Sequence, residues 1–333
     1  MLFRSLAGIL SATVSSPNSH PALLAPLFGT VIAFTPNALE NKTWNQWAKK
    51  GESVYLKIST KWEDSAAEIY LSKVSSVDEY QRLIEVKKSS RVTVGELKID
   101  RKTSKIVPTF ELSSDMIPAY GAKSANFGFL QQLFKGEDVT VDGLGIPVYF
   151  QSEFFNNAHI SADLKLSDYI TKQIAVASSA DTTVAEIVSI LEDVRNKILQ
   201  AEVPQALLEQ MNTALNNAYP DKTTTLFLRS SANVEDLKGF NGAGLYDSKK
   251  LKVRDNLAEL ANAIKVVWAS PYKFNAFMAR KNSQIDESKV GMAVLVNPFL
   301  QNVRSQGVIS TTEPRREYDE FRMNLVSLIR LRV

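Results

Sequence analysis

The sequence predicts a mixed fold of the α+β or α/β class, because stretches with a strand pattern alternate with stretches of helical periodicity. The strand pattern is clearest at residues 225–228, which are β-branched or apolar, and in the apolar run 290–296. The helical pattern is clearest after Thr183-Val-Ala-Glu186, a capping box followed by apolar residues at helical spacing as far as Ile198. At 333 residues the chain is long enough for two domains with a sizeable core.

The other elements follow from similar local patterns. Helical spacing predicts helices at residues 123–134, after the turn Pro118–Gly121, at residues 257–268, and after Pro204, which suits a first helical turn. Toward the N-terminus we expect short strands at residues 6–14, 30–34 and 53–58 and a helix at residues 20–28. Residues 315–333 show no strand or capping pattern and are predicted to form an irregular tail.

The charge balance and the absence of cysteine exclude several classes of function. The 39 basic and 36 acidic residues leave a net charge of +3, so we expect neither a nucleic acid nor a membrane as partner. Without cysteine the chain has no disulfide, thiolate metal site or cysteine nucleophile, and a cytoplasmic location is expected. No apolar stretch reaches the length of about 18 residues that a membrane span needs.

Three motifs contain residue types that bind or transfer phosphate. In the first, Gly121-Ala-Lys-Ser-Ala-Asn126, small residues surround Lys123 at the mouth of a predicted helix. Backbone amides and an ammonium group can hold an anion at such a position. The alternative is an ordinary helix start with an exposed lysine.

The second motif joins a strand, an arginine and a glycine-rich loop. Arg229 ends the predicted strand, and the loop that follows contains Gly239, Gly242 and Gly244. A guanidinium group matches phosphate oxygens, and glycines let loop amides fold over an anion. A solvated arginine before a flexible turn is the alternative.

The third motif is Ser19-His20, at the start of the predicted helix 20–28. A histidine can accept a phosphoryl group there, because the helix end stabilises the added negative charge. The alternative is a surface histidine that caps the helix. His159 has no ligand spacing to any partner, and we interpret it as structural.

Together these segments resemble the ATP-binding part of the dikinase superfamily of phosphoenolpyruvate synthase, pyruvate phosphate dikinase and glucan water dikinase. The matching motifs follow one order within residues 115–314: the Gly121 motif, Gly145–Val148, Arg229–Asp247, Lys265–Ser270, Met292–Val296 and Gln306–Pro314. The resemblance implies an ATP-grasp-like nucleotide-binding domain in a phosphotransferase of the dikinase type, with ATP and Mg²⁺ as cofactors.

The resemblance also implies the residues of the site. Lys123 and Arg229 hold the ATP phosphates, and the loop with Gly242 and Gly244 closes over them. Asn297 stands where the family has a glutamine near the adenine, so an amide is retained on a shorter side chain. The metal ligands stay unidentified.

The segment around Ser19-His20 resembles the phosphohistidine segment of the family's swivelling domain, which precedes the ATP domain in glucan water dikinase. It implies that His20 takes the β-phosphoryl group of ATP and passes it to an acceptor that the sequence does not identify. Two residues depart from the family pattern. Pro26 stands where an arginine is usual, and Pro21 directly follows the histidine.

These observations predict four segments. Residues 1–75 form an incomplete swivelling-like domain, 76–110 a linker or peripheral hairpin, 111–314 the ATP-grasp-like domain, and 315–333 the tail of a truncated domain. The rival hypothesis is a non-catalytic nucleotide-binding remnant, or a fragment of a larger dikinase. It arises because the resemblance implies metal ligands after the segment that ends at Pro314, where this chain offers only Glu317, Asp319 and Glu320. The oligomeric state stays open.

Overall fold

The computed structural model describes residues 8–12, 31–50, 54–60, 67–74, 76, 78, 95–137, 140–235, 237, 240, 242, 244–252, 256–301, 303, 305–310 and 322–327. Within these residues the helices are α1 Lys42–Lys50, α2 Ile117–Leu133, α3 Val148–Asn157, α4 Leu166–Ser178, α5 Val184–Gln200, α6 Gln205–Ala218, α7 Leu257–Ala269 and α8 Phe274–Asn282. Single 3₁₀ turns lie at Thr109–Glu111, Ser114–Met116, Ser270–Tyr272 and Glu287–Lys289. The strands are β1 Gly8–Ser11, β2 Val31–Phe34, β3 Val54–Thr60, β4 Ala67–Lys73, β5 Val107–Pro108, β6 Leu144–Ile146, β7 His159–Ser161, β8 Leu164–Lys165, β9 Leu226–Ala232, β10 Lys249–Leu251, β11 Met292–Pro298, β12 Ser305–Ser310 and β13 Arg322–Ser327.

A five-stranded sheet with the order β10-β9-β11-β6-β5 organises the part of the chain that carries the predicted phosphate motifs. All neighbouring strands in it are antiparallel. The longest pairing joins the two central strands, from Ala232 opposite Met292 to Leu226 opposite Pro298. The edge strands β10 and β5 are short, with three and two residues.

The helices cover one face of this sheet and form the main core. Leu226 and Leu228 of β9 and Val294 and Val296 of β11 point to this face, because alternate residues of a strand share a face. They pack with the apolar sides of helices α3 to α7, where Trp268 stacks on Phe154 at 5.5 Å between ring centres. The other face meets α2 and a smaller apolar cluster of Val107, Leu112, Ala119 and Tyr120.

Several sequence predictions are confirmed. The capping box at Thr183 is present in both directions, and the predicted apolar face of α5 is buried at Ile187, Leu191, Val194 and Ile198. Helix α6 follows Pro204, and α7 covers the predicted residues 257–268. The mixed helix and sheet content agrees with the α+β prediction.

Helix α2 is broken at Gly121, so a helical part starts after this residue as predicted, and the predicted turn before it forms one helical turn with Pro118 near its start. Two predictions differ from the structure. Strand β9 continues past Arg229 to Ala232, because Ser230 and Ser231 pair with β11. Residues Arg322–Ser327 of the predicted irregular tail form β13, which pairs with β12.

The N-terminal segment contains the predicted short strands. β1 and β2 pair in parallel, and β3 and β4 form an antiparallel pair. The predicted helix 20–28, with His20, lies outside the described residues, so the swivelling-like domain stays a prediction. None of the helices in the described ranges combines the length and apolar composition needed to cross a bilayer.

One buried ion pair ties α8 to the 3₁₀ turn before β11. The fully buried guanidinium of Arg280 donates to both carboxylate oxygens of Glu287, at 2.8 and 2.9 Å. Burial opposes the charge of Arg280. The paired Glu287 and the nearby Tyr246 outweigh that effect, so the pKa of Arg280 lies above its usual value. Arg280 also donates to the carbonyl of Pro271 at 2.7 Å.

Replacing Glu287 with alanine should destabilise the protein by about 3–5 kcal/mol, because it leaves the buried guanidinium without its counter-charge. Urea unfolding followed by circular dichroism measures this loss. Asp163→Ala is the control, since Asp163 is exposed and removes one carboxylate without touching the pair. Equal unfolding free energies for the two variants would contradict the role of the pair.

Candidate functional site

The face of the sheet opposite the main core carries the predicted arginine. Phe227, Arg229 and Ser231 alternate with the core residues of β9 and therefore share this second face. The guanidinium carbon of Arg229 lies 5.9 Å from the ring centre of Phe227. Within the described part of the chain, this guanidinium forms no hydrogen bond or ion pair with protein, and its donors can bind a ligand.

Asn297 lies on the same face as Arg229. On β11, Leu295 is opposite Arg229 and Asn297 is opposite Phe227, and residues directly opposite each other in an antiparallel pair share a face. The Asn297 side chain is 8% exposed, and its Nδ2 donates to the carbonyl of Pro298 at 2.8 Å. Its Oδ1 is buried without a hydrogen-bond partner in the structure. A buried acceptor of this kind is costly unless a ligand supplies a donor.

Two aromatic residues and a lysine lie near Asn297. Phe299 follows β11 and contacts Phe227 edge to face, with ring centres 5.9 Å apart. The ammonium of Lys250, on β10 opposite Phe227, lies 3.6 Å from the ring centre of Phe299. Phe227, Phe299 and Lys250 therefore form one cluster, and Asn297 lies next to it in the sheet because it is opposite Phe227.

The other end of β9 is fixed by a close contact with α2. Gly121 has φ 73 and ψ 164, which breaks the helix and is a conformation that only glycine adopts readily. A Cβ atom at Gly121 would lie 1.8 Å from the carbonyl oxygen of Ser231. The Ser231 hydroxyl accepts from the amide of Ser124 at 2.9 Å and donates to the carbonyl of Tyr120 at 2.8 Å. These contacts place the amide end of the helix that follows Gly121 against β9.

Lys123 is the second residue after that break, and a buried acid holds it. Its ammonium forms an ion pair with Oε1 of Glu235 and lies 3.5 Å from the Ser230 hydroxyl. Glu235 is 3% exposed, and its Oε2 accepts from the amide of Ala232 at 3.2 Å. We predicted no role for Glu235, although it stands in the Arg229 motif as the acid that follows the two serines.

In the described part of the glycine-rich loop, Gly242 packs against a buried side chain, and the residues after Gly244 are held by hydrogen bonds. Gly242 is buried against Glu235, and Gly244 has a positive φ of 75. Beyond them, Asp247 accepts from the ammonium of Lys273 at 2.7 Å. The buried Tyr246 hydroxyl lies 3.4 Å from Arg280, and burial raises its pKa to about 12. The loop therefore ends on the same network that contains the buried ion pair.

The structure thus brings four of the predicted residues to one region. Arg229 and Asn297 share a sheet face, while Lys123 and Gly242 meet at Glu235. His159 is exposed at the start of β7, where its Nδ1 lies 3.1 Å from the carbonyl of Asn157. The structural interpretation of His159 stays a prediction.

The described residues supply no obvious magnesium site. No group of three or more histidine or acidic side chains within the described ranges could hold a metal ion. The acid at the lysine end of the site, Glu235, is already paired with Lys123. A separate cleft of about 580 Å³ is lined by α3, α4 and the two 3₁₀ turns near Tyr272 and Glu287, and it contains none of the predicted site residues.

The comparisons with known proteins agree with the motif order. Residues 117–327 match the family described as the pyruvate phosphate dikinase AMP/ATP-binding domain. A probable phosphoenolpyruvate synthase of Methanothermobacter thermautotrophicus is 27% identical over 217 residues, which cover 64% of this chain and 30% of the relative. A probable phosphoenolpyruvate synthase of Pyrococcus horikoshii is 23% identical over 252 residues, which cover 65% of this chain and 29% of the relative.

A third relative is named for rifampicin rather than for phosphoenolpyruvate. The rifampicin phosphotransferase of Streptomyces sviceus is 24% identical over 204 residues, which cover 61% of this chain and 22% of the relative. The chain therefore spans less than a third of the length of each of these relatives.

Substituting alanine for Gly121 should destabilise the protein more than the same change at Gly136. Both glycines have positive φ, but a Cβ atom at Gly136 would meet nothing within 4 Å, whereas one at Gly121 overlaps the Ser231 carbonyl. We expect a cost of about 1–2 kcal/mol at Gly136 from backbone strain alone. At Gly121 we expect about 1–3 kcal/mol more from the clash. Urea unfolding of the two variants gives the difference, and similar losses would show that the close approach is not needed.

Proposed function

The chain belongs to the pyruvate phosphate dikinase AMP/ATP-binding domain family, and on that premise we propose that the sheet face bearing Arg229 and Asn297 is its ATP site. The observation that carries the proposal is the pair of unpartnered groups on this face. The guanidinium of Arg229 forms no contact with another polar group of the described chain, and Oδ1 of Asn297 is buried without a donor. A ligand with a hydrogen-bond donor at one end and anionic oxygens at the other satisfies both.

The adenine end of ATP is assigned to Asn297. Its free Oδ1 can accept from the exocyclic amine of adenine, and the rings of Phe227 and Phe299 supply apolar surface for the base. Because its carbonyl oxygen is the atom that lacks a partner, the site needs a donor there. The amine of adenine provides one.

The triphosphate end is assigned to Arg229, Lys123 and the start of the helix after Gly121. A guanidinium presents several N–H donors to phosphate oxygens, and an ammonium adds a second cation. The start of a helix carries a partial positive charge that favours phosphate, and here the Ser124 amide already donates to the Ser231 hydroxyl. The break at Gly121 is what creates this helix start beside β9.

The reaction proposed for this site is a dikinase-type transfer to His20. A nitrogen of the imidazole attacks the β-phosphorus of ATP, the bond from that phosphorus to the oxygen bridging the α-phosphate breaks, and AMP leaves. The β,γ-diphosphoryl group is then bound to the histidine. A water molecule attacks the γ-phosphorus and inorganic phosphate leaves, so that the β-phosphoryl group remains on the histidine and passes to an acceptor. The resemblance of the Ser19-His20 segment supports this step. The relatives are named for different compounds, phosphoenolpyruvate and rifampicin, and their names leave the acceptor of this chain open.

The family resemblance implies Mg²⁺, and we assign it no ligands among the described residues. No group of three or more His, Cys, Asp or Glu side chains that could hold a metal ion is found in these ranges. Mg²⁺ bound to a nucleotide usually takes one or two carboxylates and the phosphates themselves. Catalysis by the described residues consists of orienting ATP and neutralising its phosphates.

Arg229→Ala should weaken ATP binding by about ten- to a hundredfold, because it removes a charge-assisted phosphate contact. Isothermal titration calorimetry with ATP measures the change. Arg101→Ala is the matched control, since Arg101 is an exposed arginine that donates to the carbonyl of Ser288 outside the site. Affinities that fall equally in both variants would show a general charge effect rather than a contact with Arg229.

His20→Ala should abolish acid-labile labelling of the protein by ATP that carries isotope at the β-phosphate. Phosphohistidine is hydrolysed by acid and survives base, whereas phosphoserine does not show this pattern. The reaction is run with the chain joined to the C-terminal segment of a family member, and His159→Ala serves as the control. Label that persists in the His20 variant contradicts the carrier assignment. ATP binding without label in any variant favours a non-catalytic nucleotide-binding function.

A further inference from the structure

Glu235 is a buried acid at the triphosphate end of the proposed site, and the family resemblance gave it no role. Its side chain is 3% exposed, whereas the Lys123 side chain that pairs with it is 31% exposed. One carboxylate oxygen faces the ammonium of Lys123, and the other accepts from the amide of Ala232 at 3.2 Å. The acid is therefore fixed to the strand, and the lysine reaches from the helix to meet it.

A lysine side chain has a long flexible stem, so its ammonium occupies a defined place only when a partner holds it. The backbone hydrogen bond and the burial of Glu235 make its carboxylate a fixed point beside β9. A comparable arrangement is known in protein kinases, where an ion pair with glutamate must be in place for the phosphate-binding lysine to act. That comparison is an analogy between different folds, and it concerns the ion pair alone.

We propose that Glu235 is a positioning residue, which holds the Lys123 ammonium at the triphosphate end of the site. The proposal rests on the proposed ATP site. The new element is that the affinity for the ATP phosphates depends on the carboxylate of Glu235. By its charge alone, a carboxylate near the triphosphate would weaken binding. The placement of the ammonium outweighs that repulsion.

Gly242 connects the glycine loop to this pair. A Cβ atom there would lie 2.8 Å from Cγ of Glu235 and 3.4 Å from its Cα. Real Cβ contacts are longer than the first of these distances, so a side chain at Gly242 has to displace Glu235 or the loop. The glycine is needed here for packing against the acid that positions Lys123, which is a different reason from closing over a phosphate.

The test compares binding of ATP and of adenosine to the wild-type chain and to Glu235→Ala, Glu235→Gln, Lys123→Gln and the double variant Lys123→Gln/Glu235→Ala. Titration calorimetry gives the ATP affinities, and competition against a fluorescent ATP analogue gives those of adenosine. We expect Glu235→Ala to lower ATP affinity by about tenfold and to leave adenosine affinity unchanged, because only the phosphate contact is lost. Glu235→Gln keeps an oxygen that can accept from Lys123 and should retain part of the affinity.

The double variant distinguishes the positioning of Lys123 by Glu235 from a general effect of the Glu235 substitution on folding. If Glu235 acts through Lys123, then Glu235→Ala should cause no further loss when Lys123 is already glutamine. A loss of similar size in both backgrounds, or an equal loss for adenosine, overturns the proposal in favour of a structural role. A gain in ATP affinity for Glu235→Ala overturns it in favour of simple charge repulsion.

Gly242→Ala keeps the experiment decisive if Glu235→Ala does not fold. This variant leaves both charged residues in place and has to displace Glu235 or the loop that packs on it, so it should lower ATP affinity and spare adenosine. ATP binding that depends on Arg229 but not on Glu235 or Gly242 refutes the positioning role while the proposed ATP site stands. A wild-type chain that binds no ATP refutes both.

Discussion

The backbone of Gly121 lies so close to the carbonyl of Ser231 that no side chain fits between them. This contact fixes where the second part of α2 begins and how near its amide end comes to β9. The hydroxyl of Ser231 then satisfies the backbone of both helical parts, at Tyr120 and Ser124. Lys123 follows two residues after the break, and its distance from Glu235 is therefore set by the same contact.

The two faces of the five-stranded sheet differ in the side chains that they carry. One face carries Leu226, Leu228, Val294 and Val296 into the main core, where burial of apolar surface stabilises the fold. The other face carries Phe227, Arg229 and Asn297, and there the Arg229 guanidinium and the Asn297 Oδ1 lack hydrogen-bond partners among the described residues. An unpartnered buried acceptor lowers stability in the free protein. Its presence beside an unpaired arginine is consistent with a surface shaped for a ligand rather than for packing.

Local patterns in the sequence were sufficient for α2, α5, α6 and α7 and for the central strands β9 and β11, but α1, α3, α4 and α8 were not predicted. The capping box at Thr183 and the apolar stripe that follows it act within a few residues, so they can be recognised without a structure. The length of β9 could not be predicted in this way. Ser230 and Ser231 resemble loop residues, and only their pairing with β11 makes them strand. The same holds for Arg322–Ser327, whose strand depends on its partner β12.

The site residues that could be predicted from the sequence are those whose side chains bind phosphate by their charge, namely Lys123 and Arg229. The role of Glu235 was missed because its partner lies 112 positions earlier in the chain, and no local spacing reveals that contact. Gly242 shows a similar limit. Its motif suggested phosphate binding, while the described geometry shows that it packs against an acid side chain.

The short edges of the five-stranded sheet have a consequence for how the protein behaves in crowded solution. Strand edges present unpaired amides and carbonyls that can pair with another chain and start aggregation. At one edge, β5 contains Pro108, which has no amide hydrogen to donate. At the other, β10 exposes Lys249 and Lys250, whose charges repel a second copy of the same strand. Both edges of the sheet thus resist intermolecular strand pairing, which protects an apolar sheet from joining its neighbours.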